Sequence, residues 1–191
     1  MSLARFCRRR PPPRGRRRKA PPPAAAPAVN VAKTLGPTKL VTHDGREVAW
    51  PDGRTWVITF FYGHCYTACP ALLAQLAAVR AQFQPAERKG MAFAAITFDP
   101  ENDKPELLAS LADEFKLSGP EGAVLTGDAA TIARVVETFD FSYRPDGEGG
   151  FDHANLLAVM GGNGKILAHY YGIGGDGAKI AAKVRRLLAR S

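Results

Sequence analysis

Residues 60–70 read Phe60-Phe61-Tyr62-Gly63-His64-Cys65-Tyr66-Thr67-Ala68-Cys69-Pro70. This segment joins two patterns. Before it, residues 55–61 (TWVITFF) are β-branched and aromatic throughout, which predicts a strand buried on both faces. After it, residues 70–83 place Leu72, Leu73, Leu76, Val79 and Phe83 on one helical face. Pro70 suits the first turn of that helix, where its missing N–H is no loss, and Cys69 then falls at about the N-cap. A buried strand that enters an amphipathic helix through a loop with two cysteines predicts an α/β fold with chemistry at the strand's end.

The alternation continues on both sides. Upstream, Lys39-Leu40-Val41 and Val48 flank Asp44-Gly45, a hairpin signal. Downstream, residues 91–98 (MAFAAITF) read as a second buried strand. Asp103, with Glu106 three residues later, predicts a capping box that opens a helix bearing Leu107, Leu108, Leu111 and Phe115. Val124-Leu125 is a short strand, and Asp128 caps a helix with Ile132, Val135, Val136 and Phe139 inward. Residues 155–160 and 166–171 flank Gly161-Gly162-Asn163-Gly164 as a hairpin, and Ile180, Val184, Leu187 and Leu188 mark a last helix. The order β-α-β-α-β-α-β-β-α predicts a central mixed β-sheet with helices on both faces.

The 191 residues suit one domain, and 46% hydrophobic residues suit a core of ordinary size. No apolar run approaches the ~18 residues of a membrane span. The net charge of +8 is unevenly placed: eleven of the 26 Lys and Arg precede Asp44, leaving fifteen against eighteen acids in the body, a net of about −3. Residues 1–38 are read as a disordered basic tail rich in Pro, Arg and Ala, and residues 39–191 as the folded domain. The tail can be inert, a targeting segment, or a patch for nucleic acid or anionic lipid. Arg8-Arg9 lacks a following apolar region, and no aromatic falls within or between the arginine runs of residues 8–19, so neither a signal peptide nor nucleic-acid readout is expected.

Three cysteines exclude a disulfide-rich scaffold. A cysteine at a helix N-terminus meets free N–H groups and the positive end of the dipole, so Cys69, with Cys65 beside it, is expected to ionise easily. Three intervening residues let the sulfurs meet as a disulfide or around a metal. The plain alternative is two inert core cysteines. A closed zinc site needs four ligands, and Cys7 lies in the tail. Copper(I) accepts two thiolates and one imidazole. The candidate imidazoles are His43 at the early hairpin, His64 pointing away from the sulfurs, His169 half-exposed in the last strand, and His153 at a strand end after the Gly-rich residues 145–150.

The segment GHCYTACP at residues 63–70 resembles the Cys-x-x-x-Cys-Pro motif of the Sco/SenC family. Three further stretches resemble that family in order: residues 97–105 (TFDPENDKP), Val124-Leu125-Thr126-Gly127, and Phe151-Asp152-His153-Ala154. The similarity covers roughly residues 40–190. It implies a thioredoxin-like fold and a copper chaperone for the dinuclear copper centre of cytochrome c oxidase subunit II. It further implies Cys65, Cys69 and His153 as ligands of Cu(I) or Cu(II), Cys65 and Cys69 as a redox-active pair, and Asp152 as a neighbouring support. The implied partners are that subunit or another copper acceptor, and a thiol–disulfide reductant. The implied compartment is periplasmic or otherwise extracytoplasmic, and a monomer without nucleic-acid partners is expected.

The chain departs from the family in having no evident membrane anchor, Tyr66-Thr67-Ala68 where Pro-Asp-Val is common, and Ala154 where serine is common. The rival reading is a thioredoxin-type thiol–disulfide oxidoreductase without copper. Ordinary thioredoxins have one residue fewer between the cysteines and a proline where Asp152-His153-Ala154 stands. A peroxiredoxin fits less well, because Thr67 is two residues from Cys69 rather than three. A tail-driven interaction protein is the non-enzymatic alternative. Tyr66, between the cysteines, is expected to be exposed and to contact the acceptor.

Overall fold

The computed structural model describes residues 29–190. Seven strands form one mixed sheet: β1 (Thr38–Thr42), β2 (Glu47–Trp50), β3 (Thr55–Phe61), β4 (Met91–Thr97), β5 (Gly122–Thr126), β8 (Leu156–Met160) and β9 (Ile166–Tyr171). Their order across the sheet is β2-β1-β5-β4-β3-β8-β9. β6 (Tyr143–Pro145) and β7 (Phe151–His153) pair separately as a two-stranded ribbon. The helices are α1 (Val31–Leu35), α2 (Ala68–Ala81), α3 (Pro85–Arg88), α4 (Pro105–Glu114), α5 (Ala129–Thr138) and α6 (Gly177–Leu188).

The expected fold class holds. β3, β4 and β5 run parallel, as strands joined through helices do; β8 joins antiparallel to β3, and β9 antiparallel to β8. β3 is central and buried along nearly its whole length, as its unbroken apolar sequence requires. Alternation sends Trp56 and Phe60 to one face and Val57 to the other. On the first face Trp50, Trp56, Phe60, Phe139 and Phe141 form an aromatic layer under α5. On the second, α2 packs against β3, β4 and α6. The predicted stripe Leu72, Leu73, Leu76, Val79 and Phe83 is buried, each side chain contributing roughly 1.5–3 kcal/mol.

The domain begins earlier than residue 39. Asn30 caps α1 by accepting the Lys33 N–H, and Val31 is fully buried. α1 packs on α5, and Arg134 donates to the Leu35 carbonyl. The short apolar stretch around Val31 carries no periodicity long enough to separate it from the tail by sequence. The remainder of the expected tail, residues 1–28 with Cys7, lies outside the described residues.

Topology brings two distant segments together at one end of the central strands. β3 runs toward the loop with the two cysteines. β8 is antiparallel to it, with Thr59 opposite Leu157, so β8 starts where β3 ends. The ribbon strand β7, immediately before β8, therefore lies beside the cysteine loop.

Candidate metal centre

Cys65 lies in the loop after β3, Cys69 in the first turn of α2, and His153 at the end of β7. The His153 Nε2 is 3.6 Å from Cys69 Sγ and 4.0 Å from Cys65 Sγ. All three ligand atoms lie within 4.8 Å of one another, and both thiols are free. At metal–sulfur and metal–nitrogen distances of about 2.3 and about 2.0 Å, a trigonal ion needs sulfurs ~4 Å apart and nitrogen ~3.7 Å from each. The two nitrogen–sulfur distances match that arrangement, and both cysteines are free thiols.

The imidazole is oriented by its neighbour. His153 Nδ1 lies 3.1 Å from the Ala154 carbonyl, which can only accept, so Nδ1 carries a proton and Nε2 is the nitrogen that faces the sulfurs. Tyr62, Phe98 and Phe141 surround the ring at centroid distances of 5.9, 5.6 and 6.2 Å. The Tyr62 hydroxyl accepts the Phe151 N–H at 3.4 Å and ties the ribbon to the end of β3.

The two thiols differ, in the opposite sense to the one expected. Burial opposes the Cys65 thiolate, but the His153 ring and the Cys69 N–H outweigh it and bring the thiol down to about 6. The Cys69 N–H donates to Cys65 Sγ at 3.3 Å. Cys65 therefore takes the free N–H of the helix start that a capping side chain would take, and Thr67, at the N-cap position, makes no side-chain cap bond. Cys69 is inside the helix, 2% exposed, and burial pushes its thiol well above the ordinary range. Proximity to the helix start favoured Cys69 in the sequence; depth decides for Cys65.

The remaining histidines stay outside the cluster. His43 Nδ1 accepts from the Val124 N–H at 3.5 Å. His64 is exposed, with Nδ1 3.9 Å from Asp103. His169 is 3% exposed rather than half-exposed, its Nδ1 beside the Tyr171 hydroxyl. Asp152 is exposed and pairs with Arg144 at 3.0 Å, so its carboxylate steadies the ribbon rather than the imidazole. Tyr66 is 84% exposed between the cysteines, as expected.

Asp103 does not cap its helix. Lys104 occupies the N-cap and Pro105 opens α4, with no side-chain cap bond. The Asp103 carboxylate points instead to the cysteine loop, where it accepts the Gly63 N–H and the Thr97 hydroxyl. Burial pushes this carboxyl above the usual range. The sequence shows a capping pattern here, and only the tertiary fold reveals a better partner. The ribbon is likewise missing from the sequence reading; Asp146-Gly147 between Tyr143 and Phe151 is the turn signal that could have found it.

The sequence and the fold have counterparts. A sequence model of the SCO1/SenC family matches residues 27–189. The chain is 28% identical over 142 residues to the SCO1 protein homolog of Bacillus subtilis, spanning 72% of this chain and 73% of that protein. It is 29% identical over 158 residues to the mitochondrial SCO1 homolog of Mus musculus, spanning 78% of this chain and about half (54%) of the mouse protein. Among solved structures, ScoI of Bradyrhizobium japonicum with copper bound superposes with a TM-score of 0.64 at 26% identity, covering 80% of this chain and 98% of that one. With the match running from before α1 to the end of α6, the chain belongs to the SCO1/SenC family.

Proposed function

We propose that this protein is a copper chaperone that carries copper on Cys65 Sγ, Cys69 Sγ and His153 Nε2 and delivers it to the dinuclear copper site of cytochrome c oxidase subunit II. The observation that carries the reading is the convergence of three soft or borderline donors within 4.8 Å at the end of the central strand β3. Copper is cargo here, so the site must bind it and also release it. At neutral pH Cys65, with its thiol near 6, is already the thiolate that receives the ion. Cys69 gives up its proton as the ion is shared, which makes affinity fall with falling pH. His153 completes the set as a neutral imidazole.

The ribbon carries an open depression lined by Ser142, Tyr143, Arg144, Asp152, His153 and Ala154. An acceptor's thiolates can approach there and displace the three ligands one at a time. Tyr66, exposed between the two cysteines, is the docking contact in this reading. The same dithiol can give two electrons and two protons to a disulfide of the acceptor, itself becoming the Cys65–Cys69 disulfide. A bare dithiol reductase needs no imidazole facing both sulfurs, and His153 therefore supports the copper reading over that alternative. Family membership supports action in the periplasm or another extracytoplasmic compartment, where the acceptor's copper domain lies. Among the described residues no helix is long and apolar enough to cross a membrane.

The test is Cu(I) affinity under anaerobic, reducing conditions, by competition with a chromophoric chelator. Wild type is compared with Cys65→Ser, Cys69→Ser and His153→Ala. One-to-one binding that drops in all three variants is the expected result. Weak binding indifferent to His153 contradicts a three-ligand site.

A further inference from the structure

The loop that presents Cys65 is tied down by a residue far along the chain. Gly63 stands two positions before Cys65, at the point where β3 ends. Both carboxylate oxygens of Asp103 lie 2.9 Å from the Gly63 nitrogen. Asp103 is 2% exposed, and its side chain has no solvent contact. The Thr97 hydroxyl donates to the same carboxylate, and Thr97 Oγ1 in turn accepts the Asp99 N–H at 3.0 Å. The Asp103 backbone is fixed by its own N–H bond to the Asp99 carbonyl. The loop fits closely against this support: a Cβ at residue 63 would lie 2.4 Å from Leu107 Cδ2 and 2.6 Å from Asp103 Oδ1. From Gly63 the chain turns through the Cys65 N–H to Tyr62 carbonyl bond, and Cys65 Sγ meets the Cys69 N–H.

We propose that Asp103 is a positioning residue for the metal centre: its buried carboxylate, braced by Thr97, holds the Gly63 N–H and so fixes the turn that places Cys65 Sγ opposite His153. Asp103 touches neither copper nor the sulfurs. Its effect passes through Gly63, whose lack of a side chain lets the loop reach the carboxylate. A carboxylate buried for helix capping would bond the first turn of α4; this one bonds the cysteine loop instead. The inference rests on the copper reading only for its affinity readout.

The experiment uses the full chain, reduced, with two measurements. In the metal-free protein, hydrogen exchange is read at the Gly63 amide. Separately, Cu(I) affinity is read by chelator competition alongside thermal unfolding. Asp103→Ala is expected to unprotect the Gly63 amide and lower Cu(I) affinity by about 10–100-fold, the usual range for a support one shell behind a metal ligand. Asp103→Asn keeps an oxygen for the Gly63 N–H and is expected to restore most of both. Gly63→Ala, which keeps the carboxylate but forces the loop away, is expected to reproduce the affinity loss. If Asp103→Ala does not fold, Thr97→Val removes only the brace and is expected to give a smaller loss in the same direction. A lowered unfolding temperature with Cu(I) affinity and Gly63 protection unchanged overturns the proposal, as does failure of Asp103→Asn to recover either. Wild type that fails to bind Cu(I) while Asp103 still governs Gly63 protection overturns the copper reading and leaves the positioning role standing.

Discussion

Cys65 and Cys69 flank the start of α2, between a helix stripe and a strand that are both buried in the core. His153 stands on a three-residue strand whose partner, Tyr143–Pro145, is exposed at every residue. The thiol side is built by the main sheet and braced by a buried carboxylate. The imidazole side belongs to a ribbon outside that sheet. Ring packing joins it to the body, with Tyr143 4.7 Å and Phe151 5.4 Å from Phe98 and Phe151 5.2 Å from Tyr62. On the proposed copper reading, two ligands stand beside the main sheet and the third on a ribbon outside it, which gives ligand exchange a place to begin.

The largest effect expected from breaking this arrangement is on the rigid side. Loss of one of two thiolates from a three-ligand site should be severe, so Cys65→Ser or Cys69→Ser should weaken Cu(I) binding by roughly two to three orders of magnitude, on the scale of the about 10–16 kcal/mol that structural zinc sites draw from four ligands. Chelator competition measures it, and His153→Ala should cost less than either.

Stability should separate the two regions next. Leu76→Ala, in the buried stripe of α2, should cost about 2–5 kcal/mol. Tyr143→Ala, on the ribbon, should cost about 1 kcal/mol while still lowering copper affinity. Denaturant unfolding of the reduced, metal-free variants checks the first part, and a Tyr143→Ala as damaging to the fold as Leu76→Ala would erase the contrast.

The unequal thiols give a third test. In reduced, metal-free protein Cys65 should alkylate with a midpoint near pH 6, and Cys69 should stay unreactive to strongly alkaline pH. Site-resolved mass spectrometry distinguishes them. The sign for stability follows from the same shifts. Cys65 has a folded value below its reference of 9.0, so its contribution is complete above pH 9 and is lost as pH falls through about 6. Cys69 is raised, so its contribution is complete below pH 9 and is lost as pH rises beyond it. These two groups together place their maximum near pH 9.

The smallest effect is expected at Tyr66. With 84% of its surface exposed, Tyr66→Ala should change stability by less than about 0.5 kcal/mol and leave Cu(I) affinity unaltered. Transfer to an acceptor copper domain should slow, and transfer at the wild-type rate would remove Tyr66 from the docking surface.

Much of this was legible because local pattern and tertiary structure agree. The β3 and β9 strands fall where residues 55–61 and 166–171 place them, and Asp128 caps α5 as its position predicts. The thiol pair announces itself by adjacency in sequence. His153 did not follow from spacing, since its approach depends on β8 running antiparallel to β3; the family resemblance singled it out. Asp103 and the order of the thiol pKa values were misread for one reason. Both were assigned from the nearest helix terminus, and both are governed by burial and by partners distant in sequence: Gly63 and Thr97 for the carboxylate, His153 for Cys65. α1 and the ribbon are too short to carry a periodic signal.

The central claim is that two unlike regions meet on one ion. X-ray absorption at the copper edge of the Cu(I)-loaded protein tests it directly, with His153→Ala alongside. Two sulfur neighbours and one nitrogen in wild type, with the nitrogen lost in His153→Ala, is the predicted result. Two sulfurs alone in both proteins would contradict it.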